Sequence, residues 1–291
     1  MKCTKQTLKA LVHARRGAIV PGVFNALSAR LVADMGFEAL YVTGAGVTNM
    51  WFGLPDQGFM GLTDIAEHTA RIREAVELPL IVDADTGFGN ALNTYHTVRT
   101  LERAGADCIQ LEDQVNPKRC GHLDGKAVVD LDTAVKRIRA ATDARRDPNL
   151  LIMARTDIRA IDGLQAAIDR AKALVDAGAD AIFAEAMADL AEFEAVRAAV
   201  EVPILANMTE FGKSALFTTQ QLADIGINIV IYPVSLLRLA MGAAERGLDT
   251  LLAEGSLAST VESMQTRARL YELLDYQSYN AFDSSVFNFK V

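Results

Sequence analysis

The sequence predicts a closed (β/α)8 barrel, and three observations indicate it. Eight short apolar runs alternate with segments of helical periodicity from residue 18 onward. One helix-to-strand junction recurs, because EAVELPLI at 74–81 resembles AAVEVPIL at 198–205 and AGAD occurs at both 104–107 and 177–180. The first strand also lacks the Gly-rich turn of a dinucleotide-binding open sheet. Eight strand-helix units in roughly 250 residues are what a closed parallel barrel requires.

Apolar runs bounded by Gly, Pro or Asp predict the strands, and 3.6-residue periodicity predicts the helices. The strands are expected at 18–23, 39–42, 78–82, 108–111, 150–154, 181–184, 204–206 and 227–231. Helices are expected at 24–35, 63–76, 94–104, 130–144, 163–177, 189–200 and 218–225. Gly36 is predicted to end the first helix in the left-handed conformation. Asp130 and Asp189 are predicted N-caps, and Thr218 with Gln221 has capping-box spacing.

Composition excludes several classes of protein. The chain has 291 residues, of which 51% are hydrophobic, so it can fill a large core. Its net charge of -8 has intermixed signs and no long basic run, which argues against nucleic-acid binding. Three widely spaced cysteines favour a reducing compartment. No apolar run is long enough for a membrane span and no targeting segment is visible, so we expect a cytoplasmic protein.

The barrel accounts for residues 1–255, which we predict to be the catalytic domain. Residues 256–291 contain a further helical run at 260–274 that a barrel does not need. We therefore expect residues 256–291 to form a helical extension that packs on the barrel or on a neighbouring subunit.

Polar side chains follow nearly every predicted strand. The carboxyl ends of barrel strands converge on one mouth, where active sites lie. Acidic and amide groups directly on strand ends are less typical of an ordinary solvated loop face, so we predict a functional site there. The strand-end residues are Tyr41, Thr43, Asp83, Asp85, Glu112, Asp113, Arg155, Asp157, Glu185, Asn207, Thr209 and Tyr232.

Asp83 and Asp85 lie two residues apart at one strand end, and Glu112 ends a nearby strand. Three carboxylates form a hard oxygen site that suits Mg²⁺, with Mn²⁺ as an alternative. Zinc is disfavoured because His68 and His96 fall on predicted helices, where a structural or surface role is the simpler interpretation.

Cationic and amide residues predict an anionic substrate. Arg155, Arg238 and Arg267 accompany Asn207 and Thr209, and guanidinium groups bind carboxylates bidentately. No P-loop or dinucleotide motif is present, so a substrate with several carboxylates is favoured over a nucleotide. Arg238 and Arg267 could equally be solvated helix charges.

Cys120 lies in the loop PKRCGH at 117–122, beside Lys118, Arg119 and His122. Such an electropositive setting lowers a thiol's pKa from about 8.5, which is typical of a reactive cysteine. The alternative is a small packed cysteine among solvated charges, the role predicted for Cys108 within its apolar strand.

Five segments together resemble one family: VDADTGFG at 82–89, LEDQ at 111–114, KRCGH at 118–122, MARTD at 153–157 and NMTEFG at 207–212. They resemble the isocitrate lyase and phosphoenolpyruvate mutase superfamily, most closely the 2-methylisocitrate lyases, over residues 18–276. The resemblance implies a (β/α)8 barrel whose last helix is swapped between subunits of a dimer, usually within a homotetramer. It also implies Mg²⁺ held by Asp83 and Asp85, with Glu112 acting through water.

The resemblance further implies a reaction, the retro-aldol-type cleavage of 2-methylisocitrate to pyruvate and succinate in propionate catabolism. Cleavage would leave pyruvate and a carbanion that is delocalised into its carboxylate as a dianion. Cys120 would protonate this carbanion to give succinate, and Tyr41 is a candidate for removing the hydroxyl proton. His122, Asn207, Thr209 and Arg155 would stabilise the dianion. The implied substrate-binding residues are Thr43, Gly44, Ala45, Gly121, Arg155, Glu185, Asn207, Thr209, Arg238 and Arg267, and residues 120–122 would belong to a mobile gating loop.

Two departures leave the substrate open. The run FAEA at 183–186 has Ala where 2-methylisocitrate lyases usually have Pro, and the loop TNMWF at 48–52 is bulkier than theirs. Relatives that cleave 2,3-dimethylmalate or act on oxaloacetate fit these features as well. A carboxyphosphonoenolpyruvate or phosphonopyruvate mutase and a catalytically silent binding barrel are the remaining alternatives.

Overall fold

A computed structural model describes residues 3–119, 121 and 125–287. Eight parallel strands close into a barrel in sequence order, with β1 paired to β8, which confirms the predicted fold class. The strands are β1 (Ala18–Val23), β2 (Leu40–Val42), β3 (Leu80–Asp83), β4 (Cys108–Glu112), β5 (Leu151–Thr156), β6 (Ala181–Ala184), β7 (Ile204–Asn207) and β8 (Ile229–Tyr232). Each lies within about two residues of a predicted strand.

Helices surround the strands, and several of the predicted helix ends are confirmed. Asp130 accepts a hydrogen bond from Thr133 N, Asp189 accepts one from Glu192 N, and Gly36 has φ +85°. The α-helices are α1 (Thr4–His13), α2 (Ala26–Asp34), α3 (Gly44–Val47), α4 (Leu62–Ala75), α5 (Ala91–Ala104), α6 (Leu131–Ala144), α7 (Arg159–Asp176), α8 (Leu190–Ala199), α9 (Thr219–Asp224), α10 (Ser235–Glu254), α11 (Arg267–Leu273) and α12 (Tyr276–Phe287). A π-helical turn, Thr48–Phe52, and a 3-10 helix, Ala258–Ser263, complete the described elements. The capping box of Thr218 and Gln221 is also present.

The N-terminal helix α1, which the sequence patterns did not predict, packs on the interior core of the barrel. Its Leu8, Leu11 and Val12 are buried in one cluster with inward-facing strand residues such as Ile81 and Met153. Cys108 belongs to this cluster, so its predicted role as a core residue is confirmed. Because side chains alternate along a strand, the neighbours of these residues face outward and pack against the helices in a second core.

A repeated polar clamp fastens three strand pairs at their amino ends. Asp107 accepts hydrogen bonds from Leu80 N, at 2.8 Å, and from Arg73. Asp180 accepts them from Ile152 N, also at 2.8 Å, and from Arg145. Each arginine also donates to the carbonyl of the residue five positions later, Leu78 or Leu150.

The third clamp repeats this spacing with an amide in place of the acid. Arg197 donates to Val202 O and to Asn228 Oδ1, and Asn228 Oδ1 accepts from Ile204 N. In all three clamps the bonded strand N–H lies seven residues after the arginine, so the clamp extends the helix-strand repeat seen in the sequence.

The C-terminal helices expose much apolar surface. The 20-residue helix α10 has no buried residue, and neither does α12. Leu239, Leu252, Tyr279, Phe282 and Phe287 are all more than 60% exposed. Among the described helices, none is both long and apolar enough to cross a membrane.

Candidate active site

A cavity of about 320 Å³ opens at the carboxyl ends of the strands. Its volume lies within the range of small-molecule binding sites. Polar residues from β2 to β7 meet an apolar wall from β8 and α10. Its lining consists of Tyr41, Thr43, Ala45, Asn49, Pro55, Asp56, Asp83, Lys118, Arg119, Gly121, Arg155, Phe183, Glu185, Asn207, Thr209, Ile231, Pro233, Val234, Leu237 and Arg238.

Three buried carboxylates form the acidic side of this site. Asp83 Oδ2 accepts a hydrogen bond from Gly44 N at 3.3 Å, and Asp83 Oδ1 accepts one from Asp85 N at 3.1 Å. The backbone of Asp85 is left-handed, with φ +46°, and its carbonyl accepts from Glu112 N. These bonds hold Asp83, Asp85 and Glu112 side by side at the ends of β3 and β4.

Burial opposes the ionisation of two of these carboxylates, Asp85 and Glu112. Burial raises the pKa of Asp85 to about 6, although the nearby Lys118 ammonium opposes the rise. Burial likewise raises the pKa of Glu112 well above its ordinary value, with Arg155 opposing. Glu112 Oε1 is buried and has no hydrogen-bond partner among the described residues. Such an oxygen is an incompletely satisfied acceptor, and added positive charge would stabilise it.

Lys118 supplies a positive charge to this acidic side. Its side chain is 4% exposed, and its Nζ lies 2.7 Å from Asp85 Oδ1. The same ammonium donates to Asp56 Oδ1. Although burial disfavours the charged form, Asp85 and Asp56 raise the pKa of Lys118 well above its usual value, so the ammonium stays protonated.

Within residues 3–119, 121 and 125–287, no three His, Cys, Asp or Glu side chains converge closely enough to form a complete metal cage. The ammonium of Lys118 lies among the carboxylates instead. Mg²⁺ does not require such a cage, because it commonly binds through one or two carboxylates and keeps several waters.

Arg155 is bound by protein carboxylates on several sides. Its Nε and Nη2 donate to the two oxygens of Asp157 at 2.9 and 3.2 Å. Glu112 Oε2 lies 3.4 Å from Nε, and Glu185 Oε2 lies 3.2 Å from Nη2. The guanidinium also stacks over the ring of Phe183, with 5.0 Å to the centroid. Arg155 therefore organises the strand ends as well as lining the cavity.

A buried network supports Arg155 from below. Asp113 accepts hydrogen bonds from Thr156 Oγ1, Asp157 N and Arg170 Nη1. Asp157 in turn accepts from Lys126 Nζ at 2.8 Å. This network fixes the position of Asp157 and, through it, the orientation of Arg155.

The opposite side of the cavity carries amide, hydroxyl and guanidinium groups. Asn207 Nδ2 lies 3.4 Å from both oxygens of Glu185. Arg238 Nη1 donates to Thr209 Oγ1 at 3.1 Å and to Glu210 Oε2 at 2.9 Å, while its guanidinium lies over the ring of Phe211. Much of the hydrogen-bonding capacity of Arg238 is thus used within the chain.

Tyr41 lies deeper in the barrel. Its Oη donates to Gln110 Oε1 at 2.5 Å, and Gln110 is completely buried. Burial, reinforced by the negative charge of Asp83, raises the pKa of Tyr41 well above 10. The phenol therefore stays protonated at neutral pH and presents its oxygen lone pairs as hydrogen-bond acceptors.

The loop that carries Cys120 is anchored on both sides. The side chain of Gln114 accepts from Arg119 N and donates to Arg119 O, at 2.9 and 2.8 Å. Beyond the cysteine, Gly121 O accepts from Lys126 Nζ. A Cβ atom on Gly121 would lie 2.4 Å from Arg155 Nη2, so only glycine fits against that guanidinium.

The structure brings most of the predicted site residues together. Thr43, Ala45, Gly121, Arg155, Glu185, Asn207, Thr209, Arg238, Tyr41 and Asp83 line the cavity, and Gly44, Asp85 and Glu112 lie directly behind it. Arg267, exposed at the start of α11, does not line it. Cys120 and His122 lie outside the described residues. Trp51 is 69% exposed and does not line the cavity.

Sequence reasoning missed Asp56, Gln110, Lys126 and the apolar wall of Val234 and Leu237. Asp56 and Lys126 lie in loops far from any strand end, so no periodic signal marks them. Gln110 interrupts an apolar strand, and a buried polar residue there was a usable signal.

A parallel barrel with carboxylates, guanidinium groups and a small-molecule cavity at its carboxyl-end mouth is the architecture of a (β/α)8-barrel enzyme. The phosphoenolpyruvate phosphomutase family model matches residues 8–252. The chain belongs to this family, the phosphoenolpyruvate mutase and isocitrate lyase superfamily, which confirms the predicted relationship. Two similar proteins are a probable 2-methylisocitrate lyase 2 of Corynebacterium glutamicum, 51% identical over 98% of this chain and 92% of its own, and a 2-methylisocitrate lyase of Shewanella oneidensis, 46% identical over 93% and 92%.

Three solved structures share the fold. Oxaloacetate acetylhydrolase with 3,3-difluorooxalacetate has a TM-score of 0.93 at 33% identity, covering 99% of both chains. 2,3-Dimethylmalate lyase has a TM-score of 0.91 at 32% identity, covering 100% of this chain and 99% of its own. Phosphonopyruvate hydrolase with oxalate and Mg²⁺ has a TM-score of 0.86 at 28% identity, covering 97% and 98%. The predicted enzyme class, a carbon-carbon lyase, is confirmed by the names of the two sequence relatives given above.

Proposed function

We propose that the protein is a Mg²⁺-dependent lyase that cleaves 2-methylisocitrate to pyruvate and succinate. The observation that carries the proposal is the polarity of the cavity. Asp83, Asp85 and Glu112 form an acidic side suited to a divalent cation, and Arg155, Asn207, Thr209 and Arg238 face it. The substrate is a 2-hydroxy acid with two further carboxylates. The hydroxy-acid part would bind to the cation on the acidic side, and the further carboxylates would bind to the cationic and amide side. Sequence identity of 46–51% to the two relatives named as 2-methylisocitrate lyases supports the choice.

The three carboxylates fit a divalent cation. All are buried, the pKa values of two of them are raised by burial, and Glu112 Oε1 has no hydrogen-bond partner among the described residues. We assign Asp83 and Asp85 as ligands, with Glu112 acting through water. When bound, Mg²⁺ or Mn²⁺ would polarise the hydroxyl and carboxylate oxygens of the substrate as a Lewis acid. An all-oxygen donor set of this kind favours these two ions over zinc.

The chain's own residues would then guide a retro-aldol cleavage. Thr43, Gly44 and Ala45 bind the part of the substrate that becomes pyruvate. The hydroxyl proton passes to water, the C2–C3 bond breaks, and its electron pair passes to the fragment that becomes succinate. Arg155, Asn207 and Thr209, with His122, stabilise the negative charge that develops there.

Proton transfer completes the proposed reaction. Cys120 would donate its Sγ proton to the carbanion, which yields succinate. Burial raises the pKa of Tyr41, so we propose that Tyr41 takes part as a protonated phenol. It would form a hydrogen bond with the substrate hydroxyl rather than remove the hydroxyl proton. A phenolate base would require an ionisation that the buried, negatively charged surroundings oppose.

A second candidate substrate class comes from the structural relatives. 2,3-Dimethylmalate lyase and oxaloacetate acetylhydrolase resemble this chain in fold at 32–33% identity. Dimethylmalate and oxaloacetate carry two carboxylates, whereas 2-methylisocitrate carries three. The higher sequence identity to relatives named 2-methylisocitrate lyases, 46–51% against 32–33%, is the observation that favours 2-methylisocitrate.

Pyruvate release from 2-methylisocitrate tests the proposal. We expect equal amounts of pyruvate and succinate, loss of activity in EDTA, and recovery with Mg²⁺. Asp83→Ala should lower kcat/KM by at least about 100-fold, since several kcal/mol of charge stabilisation are removed. Activity that is indifferent to EDTA and to this substitution would refute the metal assignment.

We also propose that residues 1–255 are the catalytic barrel and that residues 256–291 pack on a neighbouring subunit, within a homotetramer of helix-swapped dimers. The exposed apolar side chains of α10 and α12 support this, because monomers rarely expose so much contiguous apolar surface. Arg267 would then contribute to the site of a neighbour rather than its own. Light scattering on the full chain should give four subunits, and a chain ending at residue 255 should form smaller species.

A further inference from the structure

We propose that Lys118 is a built-in counterion that competes with the divalent cation for Asp85, and so sets the affinity of the site for the metal. The inference rests on the proposed assignment of Asp83, Asp85 and Glu112 as the cation site. It adds a regulator of metal affinity to that assignment.

The contact geometry carries the inference. Lys118 Nζ lies 2.7 Å from Asp85 Oδ1, and the two side chains are only 4% and 5% exposed. Asp56 holds the same ammonium from the other side. Asp85 Oδ1 is buried and accepts no hydrogen bond from the described residues, so its contact with the ammonium is an ion pair. The ammonium therefore occupies the face of Asp85 that a cation would need.

Competition follows from charge and distance. Mg²⁺ binds carboxylate oxygens at about 2.0–2.1 Å, so an ion on Asp85 and an ammonium on the same oxygen would lie within a few ångströms of each other. Solvent does not screen that repulsion in a buried site as it does at the surface. Cation binding thus requires the ammonium to withdraw from Asp85, and Asp56 offers it an anchor that is not among the proposed ligands.

The fixed position of Lys118 makes this competition a property of the fold. Its loop is fastened at the next residue, where the Gln114 side chain forms hydrogen bonds with both the N–H and the carbonyl of Arg119. Asp113, next to Gln114, belongs to the buried network beneath Arg155. A displaced ammonium therefore stays near the site and can return when the cation leaves.

Titration with Mn²⁺ in the absence of substrate, followed by electron paramagnetic resonance and calorimetry, tests the inference. Lys118→Met should bind Mn²⁺ at least about tenfold more tightly than the wild type, because a like charge is removed from a buried site. Lys118→Arg keeps the charge and should stay within about threefold of the wild type. Should Lys118→Met fold poorly, Lys118→Gln provides the same loss of charge with a polar side chain.

Lys126→Met is the matched control. Lys126 is also a buried lysine paired with a carboxylate, but its partner is Asp157, which is not a proposed ligand. Its removal should change the Mn²⁺ affinity by much less than the removal of Lys118. If the two substitutions change the Mn²⁺ affinity equally, the change is explained by net charge alone. That result would overturn the proposal that Lys118 competes with the cation.

The outcomes separate this inference from the proposed function. Suppose that the wild type binds Mn²⁺ and that Asp83→Ala abolishes this binding. If Lys118→Met then binds Mn²⁺ no more tightly than the wild type, the role of Lys118 is overturned but the cation site is not. Absence of Mn²⁺ binding by the wild type, or binding unaffected by Asp83→Ala, would overturn the cation site itself. Mn²⁺ should also raise the Tm of Lys118→Met more than that of the wild type, since the variant lacks its internal counterion.

Discussion

Asp157 holds Arg155 through two hydrogen bonds, from Nε at 2.9 Å and from Nη2 at 3.2 Å, and its own side chain is completely buried. The same carboxylate accepts a hydrogen bond from Lys126. One acid thus pairs with two buried cations at the strand ends.

Asp157→Ala should therefore be strongly destabilising. Removal of one partner from a buried ion pair costs about 3–5 kcal/mol, because the remaining charge is left uncompensated. We expect urea denaturation to show a loss of this size. The control is Asp132→Ala, which removes the partner of Lys136 in an exposed helical pair and should leave the midpoint nearly unchanged. A loss for Asp157→Ala as small as that of the control would contradict the buried network.

His68 should make stability depend on pH. Burial lowers the pKa of His68 from 6.5, and its Nε2 lies 3.1 Å from Phe24 O. Below pH 6.5 the imidazole therefore binds a proton more readily in the unfolded chain than in the folded chain. The contribution of His68 to the free energy of unfolding thus falls as the pH drops from 6.5 towards the pKa of the folded state. His68→Gln, which keeps a donor for Phe24 O, should reduce the difference in unfolding free energy between pH 7.5 and pH 5.5.

His96→Asn is the matched control, because His96 is exposed on α5. It should leave the pH dependence of unfolding as it is in the wild type. Identical pH profiles for His68→Gln and the wild type would show that His68 is not the group responsible.

The polar clamps should stabilise the barrel in proportion to their burial. The Asp107 side chain is 1% exposed and bonds Leu80 N, Arg73 and Thr4, whereas the Asp180 side chain is 26% exposed. Loss of a buried charged acceptor leaves its donors unpaired at a cost of about 1–3 kcal/mol each. Asp107→Ala should therefore lower the free energy of unfolding by more than Asp180→Ala does. The reverse order in chemical denaturation would contradict this account of the clamps.

Much of the fold was predictable because barrel periodicity is local. Each strand is a short apolar run, and caps such as Asp130 and Asp189 follow from side chains that bond the next turn. Helix α1 was missed although Leu8, Leu11 and Val12 have the i, i+3, i+4 spacing of an amphipathic helix. What the local pattern does not reveal is where this surface packs, because its partners in the barrel interior are distant in sequence.

The candidate site was predictable where its residues end strands, since parallel strands bring their carboxyl ends to one mouth. Asp83, Glu112 and Arg155 follow that rule. Asp56 and Lys126 do not, because loop closure brings them to the site. The contact between Lys118 and Asp85 also depends on loop geometry, which is why sequence reasoning identified Lys118 only as a charge beside Cys120.

Pyruvate release from a substrate panel tests the central claim most directly. The panel is 2-methylisocitrate, isocitrate, 2,3-dimethylmalate and oxaloacetate, assayed with the wild type and with Cys120→Ser. We predict the highest kcat/KM on 2-methylisocitrate, with equimolar succinate, and a loss of carbon-carbon cleavage in Cys120→Ser. A preference for dimethylmalate or oxaloacetate, or full turnover by Cys120→Ser, would contradict the account.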